Sequence, residues 1–246
     1  MRHDGRLPDQ LRPLEIQRAF TDAAPGSVLI RCGRTHVLCT ASIDESVPPW
    51  REASGEGWLT AEYDMLPGSC APRRARNRTR VDGRTQEIQR LVGRSLRAVV
   101  DLAKLGPRTI HLDCDVLQSD GGTRTASITG AFVALCDALH YGQNRGWWSG
   151  DALTAAVAAV SVGIFDGQTL LDLDYYEDVR AVVDCNLVLT SRDEWVEVQA
   201  TGEHGTYTSA QLTAMTDLGR RGIHELFALQ RAALARPLTL NHREAP

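Results

Sequence analysis

Thr109-Ile110-His111-Leu112-Asp113-Cys114-Asp115-Val116-Leu117, followed by Gln118-Ser119-Asp120-Gly121-Gly122-Thr123-Arg124-Thr125, is the stretch that decides the fold. Apolar residues alternate through Ile110, Leu112, Cys114 and Val116, the period of a half-buried strand. The polar Gly-Gly turn then opens an apolar segment from about Thr125 to His140, read as a helix. A strand that turns through glycines into a helix makes this a protein of mixed α and β elements.

Upstream, Ser27–Arg31 and Thr35–Ser42 read as strands joined by Cys32-Gly33-Arg34, a hairpin signal, and Trp58–Tyr63 reads as the next strand. Residues 67–82 are rich in breakers, Arg, Asn and Thr, and predict a long exposed loop. From Thr85 to Leu102, Ile88, Leu91, Val92, Leu96, Val99 and Leu102 recur at helical spacing, and Gly106-Pro107 stops the run. Downstream of the Gly/Trp-rich 141–151 segment, strands are expected at Ala155–Phe165, Leu170–Asp174, Ala181–Thr190 and Trp195–Ala200. A long helix follows over Ser209–Ala235. No linker or repeat divides the chain. The expectation is an α+β protein in one compact domain, residues 1–236, with a loose tail at 237–246.

With 246 residues, 43% hydrophobic and 24% charged, the chain has ordinary globular composition and can bury a large core. No apolar run approaches the length of a bilayer span, and Met1-Arg2-His3-Asp4-Gly5-Arg6 leads into no apolar signal segment; a cytoplasmic protein is expected. Cys32, Cys39, Cys70, Cys114, Cys136 and Cys185 contain no CxxC pair, so they read as buried free thiols rather than zinc or redox sites.

The net charge of −4 conceals an asymmetry. Lys104 is the single lysine, and between Arg73 and Arg97 nine arginines face only Asp82 and Glu87. Between Asp166 and Glu203, ten acids face only Arg180 and Arg192. A basic stripe of this kind suits phosphate or nucleic acid, or simply an ion-paired solvated surface. Arg90, Arg94 and Arg97 share a helix face, which fits a subunit interface better than a nucleic-acid surface.

Three groups carry potential chemistry. Asp120-Gly121-Gly122-Thr123-Arg124 combines close backbone approach, a helix N-terminus, a hydroxyl and a guanidinium, the parts of a phosphate cradle, although such a run also suits an ordinary tight turn. It lacks the Gly-Lys-Ser/Thr of a Walker loop. Arg84 stands at a helix start as a second anion ligand or an exposed loop arginine. In the acidic run 172–178, followed by Asp184, the carboxylates Asp178 and Asp184 flank a turn into a strand. Brought together they could hold Mg²⁺, or one could keep its proton and donate it to a leaving oxygen; the alternative is a solvated acidic loop. No HExxH or Gly-x-Ser-x-Gly is present, which leaves zinc peptidases and serine hydrolases without support. An anion cradle, a separate arginine and a carboxylate pair suggest phosphoryl chemistry at a nucleic-acid end.

The ordered stretches Gly83–Leu91, Gly93–Leu102, Asp113–Gln118 and Asp120–Gly130, with Gly5-Arg6, Asp9–Pro13 and Leu171–Tyr175, closely resemble the ribonuclease PH family, phosphate-dependent 3′-to-5′ exoribonucleases that trim tRNA precursors. The resemblance covers roughly residues 1 to 235. It implies the ribonuclease PH fold of two βαβα-type halves, a homohexameric ring built as a trimer of dimers, RNA as substrate and inorganic phosphate as co-substrate. It implies phosphate binding by Arg84, Gly122, Thr123 and Arg124, and catalytic roles for Asp178 and Asp184; residue chemistry adds Mg²⁺ at the same pair. Asp174 matches a position where the family can carry a neutral residue. The segment with Arg73, Arg74, Arg76, Arg78 and Arg80 matches the tRNA-contacting region. Four places depart from the family pattern: Gly68–Pro72, where an arginine usually follows Leu-Pro; Val179, usually serine; Ala200, usually glycine; and Glu203–Thr208, usually Glu-x-x-Pro-Phe-Ser. The competing readings are a non-catalytic RNA-binding ring subunit and a hydrolytic metal-dependent nuclease.

Overall fold

The computed structural model describes residues 2–76 and 81–238. Its first sheet contains β1 (Leu14–Arg18), β2 (Gly26–Cys32), β3 (Thr35–Asp44), β4 (Trp58–Met65) and β5 (Thr109–Gln118), in spatial order β1-β2-β3-β5-β4. Neighbours are antiparallel except β4 and β5. That parallel pair needs a crossover, which runs through α2 (Gly83–Arg97). The second sheet is antiparallel, from β6 (Val157–Phe165), β7 (Gln168–Leu171), β8 (Val183–Thr190) and β9 (Trp195–Thr201), in order β7-β6-β8-β9. The α+β class and the two halves follow as expected.

The helix that the glycine turn opens, α3 (Thr123–Asn144), joins the halves. It packs on β2 and β3 on one side and on β6 on the other. Ala126, Ile128, Ala131, Phe132, Val133, Ala134, Leu135 and Ala138 are all buried, so the helix is apolar around most of its circumference, as a helix enclosed by protein must be. Close approach is achieved with small residues. A Cβ at Gly130 would lie 2.7 Å from the Ile30 side chain. Across the seam the Ala159 N–H donates to the Thr129 hydroxyl at 3.1 Å, and Gln230 donates to the carbonyls of Thr129 and Val157, both at 3.0 Å.

Strand β6 is buried on both faces, and its period of two divides the core. Val157 and Ala159 face the cluster around α3, whereas Ala158, Val160 and Val162 face α4 (Ser209–Leu234). Among the described residues no helix is long and apolar enough to cross a membrane.

Several boundaries differ from the sequence expectation. The helix read over Thr85–Leu102 ends at Arg97; Val100 pairs with Leu153 in a short bridge, and Asp101 caps a separate turn, α5 (Leu102–Leu105). Tertiary pairing of the β-branched Val99-Val100 segment overrides the helical spacing. The strand expected at Leu170–Asp174 stops at Leu171, because Asp172 takes a positive φ of 53° and Asp174 caps the turn α6 (Tyr175–Asp178). Strand β1 and the turn α1 (Pro49–Glu52) carry too little pattern to have been anticipated. Ala200 sits in regular β9, paired with Cys185, not in a turn. The six cysteines are free, with Cys70 and Cys136 only half-buried. Arg94 pairs within the chain with Glu197 at 2.6 Å, and Arg97 lies 4.7 Å over the Trp58 ring. Those two arginines thus have partners within the chain, while Arg94, at 52% side-chain exposure, and Arg90 both remain on the surface. The segment expected to form the tail lies outside the described residues from 239 onward.

The close contact of β2 with α3 gives a stability prediction. A Cβ at Gly26 would come 1.9 Å from the Ala134 carbonyl oxygen, a backbone atom that cannot swing away. Gly26→Ala is expected to lower stability by about 1–3 kcal/mol or more, as overpacking does, read by urea unfolding.

Candidate active site

At the end of β5 the chain turns through Gly121 (φ 75°) and Gly122 (φ 63°) into α3. A Cβ at Gly121 would lie 2.7 Å from the Leu173 carbonyl oxygen, so both conformation and space demand glycine there. Gly122 is the N-cap and offers no side chain to the first turn, which leaves the N–H groups of that turn for an outside acceptor. Thr123 is buried and its hydroxyl pairs with the Tyr63 hydroxyl at 2.8 Å.

Arg124 projects from that turn to Gln199, donating at 3.1 Å, and lies 3.4 Å from Glu87. Arg84 is exposed on the first turn of α2, whose N-terminus is capped by Asp82 accepting from the Thr85 N–H at 2.8 Å. These groups belong to the first half. From the second half come Asp178, the last residue of α6, and Asp184, near the start of β8. Arg84, Arg124, Asp178 and Asp184 line one continuous cleft, in which a compartment of about 560 Å³ also contains the Gly121–Thr123 turn. An adjoining compartment of about 380 Å³ adds Glu87, Gln199, Glu203 and His204. The sequence candidates for phosphate and for carboxylate chemistry are thus brought together from four elements.

The electrostatics follow from this apposition. Burial raises the Asp178 carboxyl, and Glu203 adds to the rise, whereas Arg84 and Arg124 oppose it. Burial also raises Asp184, next its repulsion with Asp178, to about 6, against the opposing pull of Arg124 and of the Asn186 amide donating at 3.2 Å. Asp184 Oδ1 is buried and has no hydrogen-bond partner among the described residues. A carboxylate pair with an unused inward oxygen is a site that accepts either a proton or an oxygen-loving cation.

Asp174 belongs to a different network. It accepts from the Glu177 N–H at 3.1 Å as the cap of α6, and His3 approaches it at 2.7 Å. Among the described residues His3, Asp174 and Glu177 form the single three-ligand group close enough for a metal, but Arg2 already pairs with Glu177 and Arg6 lies 3.7 Å from Asp174. Asp174 is accordingly a structural cap. Of the expected RNA-contacting arginines, Arg73 and Arg76 are exposed, Arg74 pairs with Asp82 at 2.7 Å, and Arg78 and Arg80 lie outside the described residues. Cys70 and Pro72, from the departing segment, line the cleft, as does exposed Val179. Sequence reasoning missed Glu87, Gln199 and Asn186. Glu87 was visible only as one of two acids in a basic stripe, and nothing local connects it to Arg124.

Anion donors on one side of a seam and a pair of raised carboxyls on the other suit chemistry on phosphate esters. The chain belongs to the 3′ exoribonuclease family: residues 10–139 match its domain 1 and residues 155–222 its domain 2. It is 56% identical over 239 residues to "Ribonuclease PH" of Corynebacterium kroppenstedtii, covering 96% of this chain and 94% of that protein. To "Ribonuclease PH" of Acaryochloris marina it is 55% identical over 234 residues, with coverage of 95% and 98%. The fold is shared with a subunit of the Archaeoglobus fulgidus exosome solved with RNA bound to the active site (TM-score 0.79, 21% identity, 92% of this chain and 91% of that one). It is shared too with rice (Oryza sativa) Rrp46 (TM-score 0.76, 20% identity, 95% and 100%).

The raised Asp184 carboxyl has a stability consequence. Its folded value of about 6 lies above the ordinary 3.8, so the native state holds the proton more tightly than the unfolded chain. The resulting destabilisation grows as pH rises from about 4 to about 6 and is full above that window. Asp184→Asn, assayed in EDTA, is expected to raise stability at pH 7.5 by at most roughly 3 kcal/mol, less where solvent screens the charge, and to give no gain near pH 4. Urea unfolding at the two pH values checks this.

Proposed function

We propose that this chain is a phosphate-dependent 3′-to-5′ exoribonuclease that removes terminal nucleotides from RNA, chiefly tRNA precursors, and releases nucleoside diphosphates. The observation that carries the reading is the convergence of Arg84, Arg124 and the Gly122–Thr123 turn with Asp178 and Asp184 in one cleft, in a chain 56% identical to a ribonuclease PH.

Inorganic phosphate would sit on the free N–H groups at the start of α3, between the guanidinium groups of Arg84 and Arg124. Glu87 and Gln199 hold Arg124 extended towards the cleft. One phosphate oxygen attacks the phosphorus of the terminal phosphodiester, and the bond from phosphorus to the 3′-oxygen of the preceding nucleotide breaks. The arginines and backbone donors meet the charge that gathers on the transferring group. The departing 3′-oxygen needs a proton, which Asp178 or Asp184 would supply while the other member of the pair stays ionised. The free Oδ1 of Asp184 and the neighbouring Asp178 also fit Mg²⁺, which when bound would supply positive charge beside the reacting phosphate. Arg73, Arg74, Arg76, Arg78 and Arg80 would track the RNA backbone. The same reading makes the working form a cytoplasmic homohexamer, a trimer of dimers.

The decisive experiment is digestion of an RNA with a free 3′ end, with and without inorganic phosphate, identifying the released nucleotide. Nucleoside diphosphates formed only with phosphate are expected; nucleoside monophosphates would mean hydrolysis, and no release from folded protein would mean an RNA-binding subunit. Arg84→Ala or Arg124→Ala should lower kcat/KM for phosphate by about 10- to 100-fold, the worth of a charged hydrogen bond. Asp184→Asn should cut kcat by about 10²-fold or more while RNA still binds, as loss of a positioned acid does. EDTA should abolish release and added Mg²⁺ restore it. Arg73→Ala with Arg76→Ala should make the dependence of RNA binding on log salt shallower by roughly 1–2, by loss of counterion release.

A further inference from the structure

Behind the glycine turn, outside the residues that line the cleft, lies Arg12. Its side chain and that of Asp172 are each only 4% exposed. The Arg12 backbone N–H donates to Asp172 Oδ2 at 2.8 Å, Nε to the same oxygen at 3.0 Å, and Nη2 to Oδ1 at 2.7 Å. The other edge of the guanidinium reaches the turn itself: Nη1 donates to the Asp120 carbonyl at 2.5 Å, and Nη2 points at the Gly121 carbonyl at a long 3.5 Å. Thr35, fully buried on β3, completes the grip. Its hydroxyl donates to the Gly121 carbonyl at 2.7 Å and accepts from the Asp120 N–H at 2.9 Å.

Resting on the phosphorolytic reading above, we propose that Arg12, with Thr35, is a positioning residue for phosphate that sets the N–H groups of the Gly121-Gly122 turn and locks that turn to the carboxylate-bearing segment of the other half. In a planar peptide the carbonyl and the following N–H point in opposite directions. Holding the Asp120 and Gly121 carbonyls against Arg12 and Thr35 therefore aims the N–H groups of Gly121 and Gly122 away from them. The fit is close: a Cβ at Gly122 would lie 2.9 Å from Arg12 Nη2.

The same guanidinium crosses the seam. Arg12 lies within the first family domain and Asp172 within the second. Asp172 is held at φ 53°, a conformation uncommon for a residue with a side chain, at the point where β7 gives way to α6. Six residues on stands Asp178. One buried planar fork thus touches both the anion turn and the loop that delivers the carboxylate, although it is too deep to touch substrate. Lysine cannot replace it, since an ammonium has no second edge to reach the turn while paired with Asp172.

The test compares Arg12→Lys and Thr35→Val with wild type. Arg12→Lys keeps a cation beside Asp172 and loses the bonds to the turn; Thr35→Val is close to isosteric and loses only the hydroxyl. Steady-state phosphorolysis should show the KM for phosphate raised about 10-fold in Arg12→Lys and several-fold in Thr35→Val. The KM for RNA should stay within twofold, and the stabilisation of thermal unfolding by added inorganic phosphate should shrink in parallel. An unchanged KM for phosphate in Thr35→Val of wild-type melting temperature overturns the proposal, as does an equal rise in both KM values. Should Arg12→Lys fail to fold, Thr35→Val decides alone. Arg84→Ala is run alongside: if wild type does not saturate with phosphate, or Arg84→Ala leaves the phosphate KM unmoved, the phosphorolytic reading itself has failed. If those controls behave and the two variants match wild type, this inference alone falls.

Discussion

The enclosure of α3 between two sheets is the constraint from which the rest of the molecule follows. A 22-residue helix buried around most of its length has little wet face on which to place charge, and its one acid, Asp137, is buried against Arg18. It must be built from small and apolar side chains, with hydroxyls such as Ser127 returned to its own backbone at 2.8 Å. Both sheets then gain a common surface to pack on, and β6, pressed between α3 and α4, becomes apolar on both faces. Because the sides of α3 are closed, its unsatisfied polar groups are concentrated at its ends. The N-terminal end surfaces where the two halves meet, so the packing that makes the core also delivers free N–H donors to the seam.

The halves bring opposite charge to that seam. Arg84 and Arg124 arrive on one side, where Glu87 offsets part of the charge at 3.4 Å from Arg124, and Asp178 and Asp184 arrive on the other. Burying a carboxylate beside a second one is unfavourable, and the raised Asp184 carboxyl records that cost. Such a cost persists where the surrounding structure over-determines it, and here the ladder of β8 with β6 and β9 fixes the Asp184 backbone opposite Gly163 and Thr201 while the Asn186 amide holds Oδ2. The departure at Val179 sits on the rim of the same cleft, exposed, and removes a hydroxyl from it without disturbing the backbone cap of α6.

The N-terminal dozen residues look peripheral in sequence and are central in space. Arg2, Arg6 and Arg12 are buried and converge on the carbonyls and carboxylates of 171–177. Guanidinium groups suit this work, being permanently charged and able to bond in two directions from one plane. A strand end, a helix cap and the glycine turn are thereby joined by side chains drawn from one short segment.

Much of this was legible in the sequence. Alternation through Ile110–Val116, helical spacing from Ile88 to Leu96, the Gly-Gly-Thr-Arg turn and the matching family stretches determined the class of fold and the identity of the main site candidates, because periodicity and special backbone conformations are local properties. Where local pattern competed with long-range pairing it misled: Val99 and Leu102 fit a helix that Val100 ends by pairing with Leu153. The tertiary structure alone decided which charges meet. Arg124 touches Glu87 and Gln199, and Arg12 holds both Asp120 and Asp172, across separations of tens of residues to more than a hundred. No spacing encodes such contacts; they exist because burying α3 on both sides forces the ends of unrelated elements into one seam.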